Sequence, residues 1–134
     1  MIGANLTVPI LSVVLRKSYG LGTIAMTGGS YQAAMFAVAW PTGEFGGMGL
    51  EGSVKLGYRN ELASIEDPVD RRASFEEMVA RAYAAGKALS VATGPALDDV
   101  IDPADTRRWV LAGLRSLPPV PPRTGKKLPW IDAL

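Results

Sequence analysis

The chain has no cysteine and no histidine. Disulfides, Cys/His zinc sites, thiol nucleophiles and every triad or general base that depends on imidazole are therefore excluded. A surplus of either charge is also missing: 14 basic residues stand against 13 acidic ones, a formal net charge of +1, so charge alone points to neither a nucleic-acid nor a membrane partner. Long apolar runs are absent too. Residues 8–15 and 33–40 form the longest, eight residues each, where a membrane span needs about 20. The opening residues 1–5 carry neither the basic flank nor the apolar run of a secretory signal, which makes the chain read as cytoplasmic. Its 134 residues allow a single domain with one modest core. Any chemistry must use backbone groups, carboxylates, Lys, Arg, Tyr, Ser or Thr.

Glycine is what the chain has in plenty. Eight of its 15 glycines fall between Gly20 and Gly49, interleaved with apolar residues, so they cannot all be loop punctuation. Around them the pattern is α/β. The β-branched run 8–15 predicts a strand buried on both faces, and residues 35–40 predict a second, stopped by Pro41. Between the two, a short helix over 21–26 is expected, with Ile24 and Ala25 facing inward, before Gly28-Gly29-Ser30 breaks it. A helix over about 49–65 follows, with Leu50, Val54, Tyr58 and Leu62 on one face.

Two Asp-Pro-x-Asp signals mark later helix starts, Asp67-Pro68-Val69-Asp70 and Asp102-Pro103-Ala104-Asp105. Each places an acceptor at the N-cap, proline at the first helical position and a carboxylate against the positive end of the dipole. The first helix carries Phe75, Met78, Val79, Ala82 and Tyr83 at helical spacing and reaches Gly86; the second carries Val110, Leu111, Leu114 and Leu117 until Pro118-Pro119. Residues 96–101 suit a short strand. The proline-rich, basic segment 118–134 reads as an extended tail, leaving 1–117 as the folded part. No internal repeat is evident.

Four constellations have chemical content. Ser18-Tyr19-Gly20-Leu21-Gly22 lies between a strand and a helix start, where glycines allow consecutive backbone N–H groups to converge on one developing negative charge. The same residues suit an ordinary tight strand-to-helix turn, and pattern alone leaves both readings open. Gly47-Met48-Gly49-Leu50-Glu51-Gly52 matches the dinucleotide G-x-G-x-x-G pattern, but Asp67-Pro68 opens a helix where that fold needs a strand. Close packing of small residues, against the first glycine turn, fits better. Arg16 and Lys17 end the first strand, placed for a ligand anion or for solvent. Asp98, Asp99, Asp102 and Asp105 could suggest a metal cluster, yet capping accounts for two of them, so no metal is expected.

Taken in order, Leu15-Arg16-Lys17-Ser18-Tyr19-Gly20, Ala39-Trp40-Pro41-Thr42-Gly43-Glu44, Gly47-Met48-Gly49-Leu50-Glu51-Gly52 and Asp98-Asp99-Val100-Ile101-Asp102-Pro103 resemble one family. It is the biotin-dependent acyl-CoA carboxylase carboxyltransferase (β) subunit, of the propionyl-CoA carboxylase type. An Arg-x-Gly-Lys-Lys-x-Pro string from Arg123 to Pro129 extends the resemblance into the tail.

The resemblance implies an α/β, crotonase-like ββα superhelix, with residues 1–117 forming a truncated C-terminal half-domain. It implies that carboxybiotin, carried on a separate subunit, gives its CO₂ to the α-carbon of a short acyl-CoA, propionyl- or acetyl-CoA. The backbone of Gly20, Leu21 and Gly22 would form the oxyanion hole and bind the biotin ring; Tyr19 and Ile24 would contact substrate, Ile24 tuning acyl length. Leu21 and Gly22 stand where many relatives have Gly-Ala. Expected partners are acyl-CoA, a biotin carboxylase, a biotin carrier subunit and further copies of the chain. The isolated chain is expected to be inactive and self-associating. The alternatives are another crotonase-like acyl-CoA enzyme, a decarboxylase or hydratase with Glu44 and Glu51 as its carboxylates, or a non-catalytic assembly fragment.

Overall fold

The computed structural model describes residues 5, 6, 8–119 and 122; the tail motif around Lys126 and Lys127 lies outside them. Strand β1 (Leu11–Val14) pairs in parallel with β3 (Phe36–Ala39), and β3 pairs in parallel with β5 (Asp99–Val100). A second, two-stranded sheet joins β2 (Lys17–Tyr19) to β4 (Glu44–Gly46), also in parallel, with Lys17 opposite Glu44 and Tyr19 opposite Gly46. Helix α1 (Gly20–Met26) follows β2, and α2 (Leu50–Gly57) follows β4. The chain thus runs strand, strand, helix twice in succession, each strand of the second unit lying beside its counterpart in the first.

β3 forms because Phe-Ala-Val-Ala can be buried on both sides at once. Ala37 and Ala39 face Phe45, Ala88 and Leu97, while Phe36 and Val38 face Ile101, with Leu11, Val13, Trp40, Trp109 and Val110 around them. Val38 and Ala39 are wholly inaccessible. On the second side, α6 (Thr106–Ser116) closes over the sheet. Gly113 permits this: a Cβ there would stand 2.9 Å from the Phe36 ring and 3.0 Å from Leu11. Trp109 meets Phe36 edge to face at 5.5 Å, and Trp40 Nε1 donates to Thr106 Oγ1 at 2.9 Å.

Both Asp-Pro signals act as caps. Asp67 accepts from the Val69 and Asp70 amides and starts α4 (Pro68–Ala85), which Gly86 ends; Asp102 accepts from the Ala104 amide, although the first turn is 3₁₀ before α6 begins. Between them, α5 (Ala88–Val91) carries the inaccessible Ala88.

Several expectations need correction. β1 is half-buried except for Ser12, because it is an edge of its sheet rather than a central strand. The helix expected over 49–65 is two helices, α2 and α3 (Arg59–Ser64), broken at Tyr58; Leu50 and Val54 are buried, but Tyr58 is exposed. Ile24 and Ala25 do not face inward: α1 buries none of its residues, since among the described residues no further layer covers it. The apolar stripe of α4 is half-buried, resting on α2 and α3, with Lys55 Nζ 5.5 Å from the Phe75 ring centre. Leu114 is likewise exposed. β2 and β4 were not foreseen at all.

Candidate functional site

Strand β2 turns into α1 at Gly20, whose φ of +65° lies in the left-handed region that side-chain-bearing residues avoid. A Cβ on Gly20 would also stand 3.1 Å from the Gly47 carbonyl oxygen. The two glycine-rich segments therefore touch backbone to backbone, as close packing requires, and Asp67 starts a helix rather than ending a dinucleotide-type strand. Tyr19 is the N-cap of α1 but gives it no side-chain bond. Gly20, Leu21 and Gly22 form the first turn, whose N–H groups have no carbonyl four residues earlier within the helix.

That turn borders a cavity of about 290 Å³. Ser18, Gly20, Leu21, Ile24, Tyr31 and Phe45 line it, so strand β2, helix α1, the 3₁₀ turn Tyr31–Ala33 and β4 all contribute. Gly22 adds no wall: a Cβ there would meet nothing within 4 Å. Leu21 is 83% exposed and Ile24 39%, which places both at the rim. A larger cavity, about 490 Å³, runs along β1 behind Ser18, where no glycine turn faces it.

Of the expected site residues, the fold brings Gly20, Leu21 and Ile24 to one cavity, with Gly22 in the adjoining turn. Tyr19 is not in its lining. Its ring lies against Gly46, where a Cβ would be 3.2 Å from Tyr19 Cδ1, and its hydroxyl donates to Glu44 Oε1. Burial, and then this bond to Glu44, hold the Tyr19 phenol well above the usual tyrosine range. Glu51 is likewise engaged: the Tyr83 hydroxyl donates to its Oε1 at 2.6 Å, which, ahead of a backbone hydrogen bond, keeps the carboxyl below its usual range. Each glutamate thus answers a tyrosine.

Two hydroxyl-bearing side chains meet in the cavity, Ser18 from the glycine-turn motif and Tyr31, which the sequence did not single out. The hydroxyls of Ser18 and Tyr31 are hydrogen-bonded to one another, and the Tyr31 ring meets Phe45 edge to face at 5.9 Å. No spacing rule links residues 13 apart across a helix and a turn. Elsewhere, Arg16 and Lys17 are exposed. The aspartates are taken up locally: Asp98 accepts from the Ala37 amide at 2.7 Å, Asp99 from Val100, Asp102 from Ala104, and Asp105 pairs with Arg108 at 3.0 Å. Among the described residues no helix is long and apolar enough to cross a membrane.

The carboxyl transferase domain family matches residues 3–118. The carboxyltransferase subunit of propionyl-CoA carboxylase from Haloferax mediterranei is 38% identical over 111 residues, covering 83% of this chain and 21% of that protein. The methylmalonyl-CoA carboxyltransferase 12S subunit of Propionibacterium freudenreichii subsp. shermanii is 40% identical over 108 residues, 81% of this chain and 20% of its own. Among solved structures, transcarboxylase 12S, a hexamer core seen with methylmalonyl-CoA, matches with a TM-score of 0.76 and 32% identity over 92% of this chain and 24% of that one. A single-chain, multi-domain long-chain acyl-CoA carboxylase matches with a TM-score of 0.66 and 55% identity over 82% of this chain and 10% of its own. The chain spans about a fifth of the length of these curated relatives. The repeated strand-strand-helix units are those of the crotonase-like carboxyltransferase fold, present here in part. On this match in sequence and fold, the chain belongs to the carboxyl transferase domain family.

Proposed function

We propose that the chain supplies the carboxybiotin side of a carboxyltransferase site, within the carboxyltransferase component of a biotin-dependent acyl-CoA carboxylase. The observation that carries this reading is the Gly20 turn: it sets the first N–H groups of α1 beside a cavity with an apolar body and an open rim. Residues 1–117 would be the C-terminal part of a carboxyltransferase domain. The relatives' names, propionyl-CoA carboxylase and methylmalonyl-CoA carboxyltransferase, favour a short acyl-CoA. A relative from Mycobacterium bovis is described as biotin-dependent, and transcarboxylase 12S as a hexamer; a biotin carboxylase, a biotin carrier and further copies of the chain are accordingly the partners proposed.

The residues fit the biotin ring. Phe45, Ile24 and Leu21 offer apolar surface, no Cβ narrows the turn at Gly20 or Gly22, and the first-turn N–H groups, which have no acceptor within their own helix, suit a ureido oxygen. Carboxybiotin, when bound, supplies the CO₂ and, at its ureido oxygen, the base for the α-proton of the acyl group. The backbone donors of Gly20, Leu21 and Gly22 would hold the negative charge that gathers on that oxygen, against the apolar body of the cavity. One such donor in a dry site contributes about 3–4 kcal/mol to the transition state, so neither imidazole nor thiol is required. The acyl-CoA thioester is left to a domain outside this chain.

The test is a graft. Residues 3–118 replace the matching stretch of a transcarboxylase 12S subunit, and carboxyl transfer to propionyl-CoA is followed with biotinylated carrier. Transfer that survives the graft supports the reading. A folded, hexameric graft without transfer overturns it.

A further inference from the structure

We propose that the Ser18–Tyr31 hydroxyl pair is a second polar anchor of this cavity, accepting a ring N–H of the bound ureido group while the α1 turn donates to its carbonyl oxygen. The inference rests on the reading of the cavity as a biotin site. It begins from the composition of the lining. Apart from these two hydroxyls, the side chains around the cavity are apolar except for Thr23, whose hydroxyl is directed to the Tyr19 carbonyl oxygen at 3.5 Å. Ser18 is 4% exposed and sits in β2, immediately before Tyr19 and the glycine turn. Tyr31 is fixed from both ends: Ser30 caps its turn by accepting from the Gln32 amide at 3.1 Å, and Phe45 holds its ring edge to face.

The chemistry of the pair suits what the turn lacks. A first helical turn offers donors only, so it can satisfy the oxygen of a ureido ring but not the N–H beside it. An N–H left without an acceptor in an apolar cavity loses its water and gains nothing in return. Two hydroxyls that bond to one another use one proton and one lone pair; the remaining lone pairs accept, and the spare proton can turn elsewhere. Among the described residues no other group takes them. Donors on one wall and acceptors on another match the flat edge of a ureido ring, in which one N–H remains when the other nitrogen carries CO₂. A ring lacking N–H groups would gain nothing from the pair. Ser18 and Tyr31 are thus binding residues that select for and orient the ring.

The experiment uses the 134-residue chain, ¹⁵N-labelled, titrated with biocytin and observed at the amides of Gly20, Leu21 and Gly22. The expected result is saturable shifts at these amides, a Kd raised about three- to tenfold by Tyr31→Phe, and a similar loss with Ser18→Ala, which keeps the Tyr31 ring in place. Two small probes separate a contact from a packing role: 2-imidazolidinone, which has ring N–H groups, and cyclopentanone, which has the carbonyl alone. The wild type should prefer the former, and Tyr31→Phe should abolish the preference. Equal weakening of both probes makes Tyr31 structural and overturns the proposal. Biocytin binding unchanged in both variants overturns it while leaving the biotin cavity intact. No shift at residues 20–22 with biocytin removes the cavity reading and this inference with it.

Discussion

Gly20 and Gly47 meet backbone to backbone, with the Cβ that Gly20 lacks falling 3.1 Å from the Gly47 carbonyl oxygen. One contact therefore fixes where β2 ends, where α1 begins and how the second glycine segment approaches.

Gly20 and Gly22 should respond in opposite ways to the same substitution. Gly20→Ala forces a side chain into the left-handed region and against Gly47, costing about 1–2 kcal/mol from the backbone alone. Gly22→Ala meets open space within a helix and should be neutral or stabilising by up to about 1 kcal/mol. Urea unfolding of both variants decides this, and equal midpoints would contradict it.

Gly22→Pro removes one N–H from the first turn, at a position whose amide makes no bond within the helix. In the grafted subunit, carboxyl transfer should fall by about 10²-fold or more while the thermal midpoint stays close to that of the parent. A folded graft with undiminished transfer would remove the backbone donors from the mechanism.

The tyrosine phenols give the chain an alkaline limit. Tyr19 is held protonated by burial and by Glu44, and Tyr83 chiefly by Glu51, so both titrate above the ordinary value of 10.0 when folded. The unfolded chain then binds fewer protons than the folded one above that pH. The stability these two phenols contribute should be level below about pH 10 and fall as pH rises beyond it. Tyr19→Phe, measured by urea unfolding across that range, should flatten the fall; an unchanged slope would show that the Glu44 bond does not persist in solution.

Gly113→Ala should be the costliest small substitution in α6. The new methyl group meets the Phe36 ring at 2.9 Å and Leu11 at 3.0 Å, and overpacking of this kind costs about 1–3 kcal/mol. Thermal unfolding checks it, with Ala112→Gly on the exposed face as the comparison, expected at about 1 kcal/mol.

What the sequence revealed followed the range of its signals. The Asp67 and Asp102 caps were legible because their donors lie two or three residues away, and β3 because Phe-Ala-Val-Ala buries both faces. β2 and β4 were not legible: Lys-Ser-Tyr and Glu-Phe-Gly have no period, and only the pairing of each with the other makes them strands. The same short ladder hid the repeat of the two strand-strand-helix units. Ile24 was misplaced because helical spacing identifies an apolar side chain without identifying what covers it. The site followed suit, its glycine turn visible locally and its Ser18–Tyr31 and Tyr19–Glu44 bonds set by residues 13 and 25 apart.

Because the Gly20–Gly47 contact is made by main-chain atoms, the direction of the turn is insulated from the side chains that surround it. Leu21, Ile24 and Met26 are exposed on α1, the first two at the cavity rim. Residues 21, 24 and 26 can therefore vary without redirecting the turn, giving a lineage room to explore new cavity rims while the main chain at Gly20 stays where it is. A combinatorial library confined to those three positions should yield folded chains at high frequency, whereas one that includes Gly20 should not.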